Sequence, residues 1–188
     1  AAVTTAASMG YPVVMKVVGP VHKSDIGGVA LNISTEERVR QEFARMMALP
    51  GVTGILIQKM ISGRELFCGA AREGRFGHLV MAGMGGIFIE VFKDVATALV
   101  PVSDKEARSM IRSLKSYKII KGVRGSEGVS EEAFVRVITS LSDLLIAAPE
   151  IEEMDINPLL GTPDRIVAVD ARIRVGRRQS DKARANRQ

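Results

Sequence analysis

Chemistry that depends on sulfur or imidazole has little to draw on here. There is one cysteine, Cys68, and there are two histidines, His22 and His78, among 188 residues. An intrachain disulfide is excluded, a Cys/His zinc site cannot be assembled, and a reducing compartment, the cytoplasm, is expected. Tryptophan is absent and aromatic residues make up only 4%, which leaves little with which to stack nucleic-acid bases. No apolar run approaches the roughly 18 residues of a membrane span, and the first residues lack the basic-then-apolar order of a secretory leader. Neither a membrane nor a nucleic-acid partner is expected. The formal charge of +5 does not argue otherwise, because five cations and one anion fall in Gly176–Gln188, leaving +1 for residues 1–175. That tail has no aromatic residue and no apolar face, so residues 176–188 are expected to form a disordered basic terminus. The hydrophobic content of 46% is enough for one packed domain or two small lobes sharing a cleft.

Strand and helix signals alternate along the chain. Tyr11–Val18 and Val29–Ile33 predict strands. Ser34-Thr35-Glu36-Glu37 fits a capping box, and Val39, Phe43, Met46 and Met47 recur behind it at helical spacing. Pro50-Gly51 stops that helix, and Thr53–Met60 predicts another strand. After Ser62-Gly63 comes a run of strands, roughly Glu65–Arg72, Gly77–Ala82, Ile87–Phe92 and Ala96–Pro101, separated by turn glycines. Ser103 with Glu106 opens a second helix. Ser130 opens a third, with Phe134, Val137, Ile138, Leu141, Leu144 and Leu145 as its buried stripe. Two strands, Ile151–Leu160 and Arg165–Ile173, close the chain around Gly161-Thr162-Pro163-Asp164. The fold class is α+β, with a first lobe over 1–60 and a second over 61–175.

Three stretches carry chemistry. In Lys16 to Gly28, KVVGPVHKSDIGG, a lysine sits inside an apolar strand that leads into a glycine-rich loop. A cation flanked by Val14, Met15, Val17 and Val18 is costly unless an anion meets it, and Gly27-Gly28 let backbone approach phosphate oxygens. A solvated edge-strand lysine beside an ordinary turn is the competing reading. His22, followed by Lys23 and Asp25, is either a surface residue or, beside a phosphate site, a phosphoryl acceptor or an anion contact. In the final hairpin, Asp155 and Asn157 point to one strand face. A turn centred between Thr162 and Pro163 sets Asp155 opposite Asp170 and Asn157 opposite Ala168, so that oxygen ligands suited to Mg²⁺ share a face. A solvent-facing polar stripe is the alternative. Gly83, Gly85 and Gly86 form a turn between strands, and G-x-G-G lacks both the spacing and the following helix of a dinucleotide fingerprint.

The strings GYPVVMK, HKSDIGGV, FGHLVMAGMGGIFIEVFKDV and DINPLL, in that order, resemble the ATP-grasp domain of NDP-forming acyl-CoA synthetases. This group includes ADP-forming acetate–CoA ligases and is related to the succinyl-CoA synthetase β chain. The resemblance runs from about Val3 to Val175. It implies an ATP-grasp fold with ATP or ADP held between two α+β lobes, and a first lobe incomplete at its start. It implies that Lys16 contacts the ATP phosphates, that Gly27 and Gly28 belong to the covering loop, and that Gln58, Lys59 and Met60 form the adenine-reading hinge. Glu65 corresponds to the ribose-binding acid, Asn157 and Asp170 to the Mg²⁺ ligands, and Asp155 to an acid that positions a phosphohistidine. His22 and Asp94 match positions implicated in phosphoryl relay. The implied partner is a CoA-binding, succinyl-CoA-ligase-like domain or α subunit, and a homo-oligomer is compatible with all of this. A nucleotide-sensing module without turnover, of the kind attached to acyltransferases, is the alternative.

Overall fold

The computed structural model describes residues 1–20, 26–123, 125 and 127–176. It divides into two compact units, Ala1–Ile61 and a second beginning at Ser62.

In the first unit, helix α1 (Ala2–Met9) leads into strand β1 (Val13–Val18), followed by β2 (Val29–Ile33), helix α2 (Glu36–Met47) and β3 (Gly54–Lys59). β1 is the middle strand of an antiparallel sheet ordered β2-β1-β3. Val13, Met15 and Val17 project into one core with Ala6, Ile33, Val39 and Met46. By alternation Val14 and Lys16 take the opposite face. The helix signal at 34–37 is real but shifted. Thr35 is the N-cap and accepts from the Arg38 amide, so an arginine stands at N3 and no reciprocal box forms. The stripe is also rotated from the expected one: Glu42 is buried, whereas Phe43 and Met47 are each more than a third exposed. Arg38 and Arg45 both pair with Glu42, which makes its burial tolerable.

The second unit is a sheet backed by helices. Its elements are β4 (Arg64–Glu73), β5 (Gly77–Met84), α3 (Ile87–Glu90), β6 (Val95–Leu99), α4 (Asp104–Ser113), α5 (Tyr117–Lys121), α6 (Glu131–Ala147), β7 (Ile151–Gly161), β8 (Ile166–Ala168) and β9 (Arg172–Val175). The sheet runs β6-β5-β4-β7-β8, with β9 also pairing β7. Leu66, Cys68 and Ala70 of β4 and Val80 and Ala82 of β5 meet Ile111, Phe134, Ile138 and Leu145 in its core. Burial there pushes the Cys68 thiol up to about 12, so it is an inert packing residue. The buried His78 ring lies 2.6 Å from the Ile151 carbonyl through Nε2, tying β5 to the start of β7.

Four expectations are corrected. Ile87–Phe92 is not a strand: after Gly86, at φ 58°, the chain leaves the sheet as the short helix α3, and β6 takes the edge beside β5. A short helix therefore does follow G-x-G-G, contrary to the sequence reading. Leu144, expected in the buried stripe of α6, is 39% exposed. The last strand is two, because residues 169–171 leave the ladder between β8 and β9. Among the described residues no helix is long and apolar enough to cross a membrane.

The caps at Ser103 and Ser130 are as expected, the first a complete capping box with Glu106. Between these helices, Glu131 accepts from Arg108, Arg112 and the Tyr117 hydroxyl. Burial raises its pKa, but these three donors outweigh it and hold the carboxyl below its ordinary value. A depressed carboxyl contributes stability above its unfolded pKa and loses it as pH falls through the folded one. Acid titration followed by circular dichroism should therefore show stability falling from roughly pH 5 downward. Glu131→Gln should be less stable at neutral pH and flatter across that acid range.

Candidate functional sites in the two units

In the first unit, the candidate phosphate-binding residues are gathered along β1. Lys16 pairs with Val29 on one side and Leu56 on the other, and is 8% exposed. The Val17 amide donates to the Gly28 carbonyl, so the glycine pair lies at the end of β1, next to Lys16 in the ladder. Gly27, at φ 68°, gives its carbonyl to Arg45 Nη2 at 2.9 Å. Arg45 was not singled out in the sequence, since nothing local links an arginine in the last turn of α2 to a loop 18 residues earlier. Gln58 and Lys59 pair with Val14 and Val13, and the Met60 amide donates to the Pro12 carbonyl. His22 lies outside the described residues.

In the second unit, two groups of residues matter. Glu65, exposed at the start of β4, accepts the Gly85 amide on its carbonyl. A Cβ on Gly85 would stand 3.2 Å from the Glu65 Cβ, and one on Gly86 would stand 3.0 Å from the carboxylate Oε2. The two glycines therefore make room for Glu65 and leave its acid end outward. Asp94 is 6% exposed, and its two carboxylate oxygens accept the Lys115 and Ser116 amides at 2.9 and 2.8 Å. Burial raises its pKa, but the nearby Ser116 hydroxyl, the two amides and the Lys115 charge together hold it below the ordinary value.

The other group is on β7. The turn is closed by Thr162, whose amide and hydroxyl both donate to the Arg165 carbonyl. It is thus centred between Pro163 and Asp164, one residue beyond the expected position. The register moves by two: Leu159 faces Ala168 and Asp155 faces Arg172, correcting the expected Asp155–Asp170 and Asn157–Ala168 pairs. A shift of two preserves the faces of the residues that stay in the ladder, and Asp170 lies in the break between β8 and β9. On the other side Cys68 pairs with Ile156 and Leu66 with Leu159, so Asn157 and Pro158 bulge together opposite Phe67. Asn157 follows Asp155 onto one face by alternation, and the bulge returns Leu159 to the core face of Met154 and Ile156.

Asp155 stands beside Gly69, which contributes no side chain, and its Oδ1 is buried without a hydrogen-bond partner. Burial raises its pKa. Arg172 opposes that shift, while Glu153 and Asp170 add to it. The Asp155 and Asn157 oxygens share a strand face, one Asp155 oxygen is unpartnered, and Asp170 is near enough to act on Asp155, so these oxygens are of the kind that would suit Mg²⁺. Among the described residues no three His, Cys, Asp or Glu side chains converge, so a closed all-protein metal cage is absent. On the other side of β7, Met154 and Ile156 help line a groove of about 590 Å³ against α6.

One unit carries a buried lysine on its central strand beside a glycine pair, and the other carries oxygen donors on its β7 hairpin. The ATP-grasp domain model matches residues 1–175. The β subunit of acetate–CoA ligase [ADP-forming] I from Pyrococcus furiosus is 41% identical over 92% of this chain and 78% of its own length. Acetate–CoA ligase [ADP-forming] I of Archaeoglobus fulgidus is 39% identical, but the chain spans only 26% of it. Acetyl-coenzyme A synthetase 1 of Ca. Korarchaeum cryptofilum, solved with coenzyme A, Ca-AMPCP and HgCl⁺, superposes with a TM-score of 0.87. It is 40% identical, over 93% of this chain and 80% of that one. The chain belongs to the ATP-grasp family, in the branch of the ADP-forming acetate–CoA ligase β subunits.

Proposed function

We propose that this chain is the nucleotide-binding part of an NDP-forming acid–CoA ligase. In the reaction, acid, CoA and ATP are in equilibrium with acyl-CoA, ADP and phosphate. The observation that carries this reading is the unpartnered Asp155 oxygen beside Asp170 and Asn157, in a chain of the β-subunit branch. Residues 1–60 and 61–175 serve as the two ATP-grasp lobes. Lys16 neutralises phosphate charge, the Gly27-Gly28 backbone covers the phosphates, Gln58 to Met60 read adenine, and Glu65 accepts from the ribose hydroxyls. Asn157 and Asp170 would hold Mg²⁺, whose charge would stabilise the phosphoryl group during transfer. Asp155 orients the incoming histidine of a CoA-binding partner domain or α subunit.

In the step this chain serves, the bond from the γ-phosphorus to the ADP oxygen breaks. A bond to an imidazole nitrogen forms, and the imidazole proton leaves to solvent or a carboxylate. His22 is a candidate second acceptor for that phosphoryl group. Mg·ATP chemistry and a buried lone thiol suit the cytoplasm. Incubation with γ-labelled ATP, Mg²⁺ and the CoA-binding partner should label the partner's histidine, and label should then pass to acyl phosphate on adding the acid. Saturable ATP binding with no label on the partner would instead favour a nucleotide sensor without turnover.

A further inference from the structure

We propose that Asp94 is a positioning residue: it pins one end of the segment whose other end, Gly85-Gly86, sets where the Glu65 carboxylate stands. This rests on the reading of Glu65 as the ribose acceptor. The phosphoryl-relay role implied by the family resemblance needs a carboxylate oxygen that can reach phosphate. Both Asp94 oxygens are instead taken by backbone amides at the α4–α5 junction, in a side chain 6% exposed. The rest of the residue is equally committed. Its amide donates to the Phe88 carbonyl at 3.0 Å, closing the segment on itself, and its carbonyl lies where a Cβ on Gly83 would stand 2.5 Å away.

Between these ties, the segment crosses α3, where the Phe88 and Phe92 rings sit 6.0 Å apart, and Lys93 adopts φ 49°. At its other end Gly85 donates to the Glu65 carbonyl, and both glycines touch Glu65 with no side chain intervening. The loop thus has two anchors. One is the buried carboxylate on the α4–α5 amides, and the other is the glycine pair against Glu65. Release of the first frees the glycine pair to drift, and the ribose acceptor drifts with it.

The test is calorimetric titration of the protein with ATP and with 2′,3′-dideoxy-ATP, each with Mg²⁺. The variants are Asp94→Ala, Asp94→Asn and Glu65→Ala. Wild type should prefer ATP by about tenfold or more, the worth of one or two charge-assisted hydrogen bonds. Glu65→Ala should abolish the preference. Asp94→Ala should reduce it at least severalfold while dideoxy-ATP binds nearly as before. Asp94→Asn is the milder variant should the alanine fail to fold; it sets an amide N–H against a backbone N–H and should also reduce the preference. Retention of the full ATP preference in folded Asp94 variants overturns the inference while leaving Glu65 in its role. If wild type shows no preference, or Glu65→Ala keeps it, the ribose reading fails and the inference fails with it.

Discussion

Lys16→Met is expected to weaken Mg·ATP binding by roughly 10- to 100-fold, the worth of a hydrogen bond between charged groups in a largely desolvated setting. Methionine keeps the apolar stem and roughly the volume of the lysine, so the packing of β1 between β2 and β3 should survive. A calorimetric titration with ATP and a thermal melt on the same sample separate the two effects. Loss of affinity with a retained melting transition marks Lys16 as a ligand-binding cation. Unchanged affinity would return it to the status of a buried structural lysine. The reason to expect the former is positional. Lys16 is on the central strand, 8% exposed, on the face turned away from α1 and α2, next in the ladder to the Val17–Gly28 bond. A buried ammonium is costly to desolvate, and a phosphate brought against it would offset that cost.

The second large effect is on the metal. Asp170→Asn should remove most of the strengthening that Mg²⁺ gives to ATP binding, on the order of 30-fold, because a charged oxygen ligand becomes a neutral one. Binding measured without Mg²⁺ should be little changed, or slightly stronger as a negative charge near the phosphates disappears. Asp164→Asn, in the turn of the same hairpin and lining the groove on the other side of β7, is the control and should leave the Mg²⁺ dependence intact. Equal Mg²⁺ strengthening in wild type and Asp170→Asn would move the cation site elsewhere.

How much of this was legible in the sequence depends on what each signal physically encodes. Val29–Ile33 and the caps at Ser103 and Ser130 were readable because strand patterning and side-chain capping are local. The short helices were not. α1 is built from small residues with no periodic stripe, and the apolar run at 87–92 suits a strand or a buried helical turn equally, so only the loss of a pairing partner to β6 decided it. The stripe of α2 was misplaced by one position because burial of Glu42 depends on two arginines whose reach is a property of the folded helix. In the closing hairpin the expected register is displaced by two residues. The shared face of Asp155 and Asn157 follows from alternation along one strand, whereas the centre of the turn depends on how Thr162 closes it, and Asp170 falls where the chain leaves the ladder. The motif strings pointed to Lys16 and the hairpin acids, and they gave no hint that Asp94 is spent on two amides or that Arg45 holds Gly27.

The two hydrophobic cores share no residue. The smaller lies in the first unit, around the strand that carries Lys16. Anything that binds a folded form adds to its stability in proportion to the logarithm of its concentration. Nucleotide held by Lys16 and its glycine pair, as proposed, would therefore protect that core from unfolding, and limited proteolysis with and without ATP would read the protection.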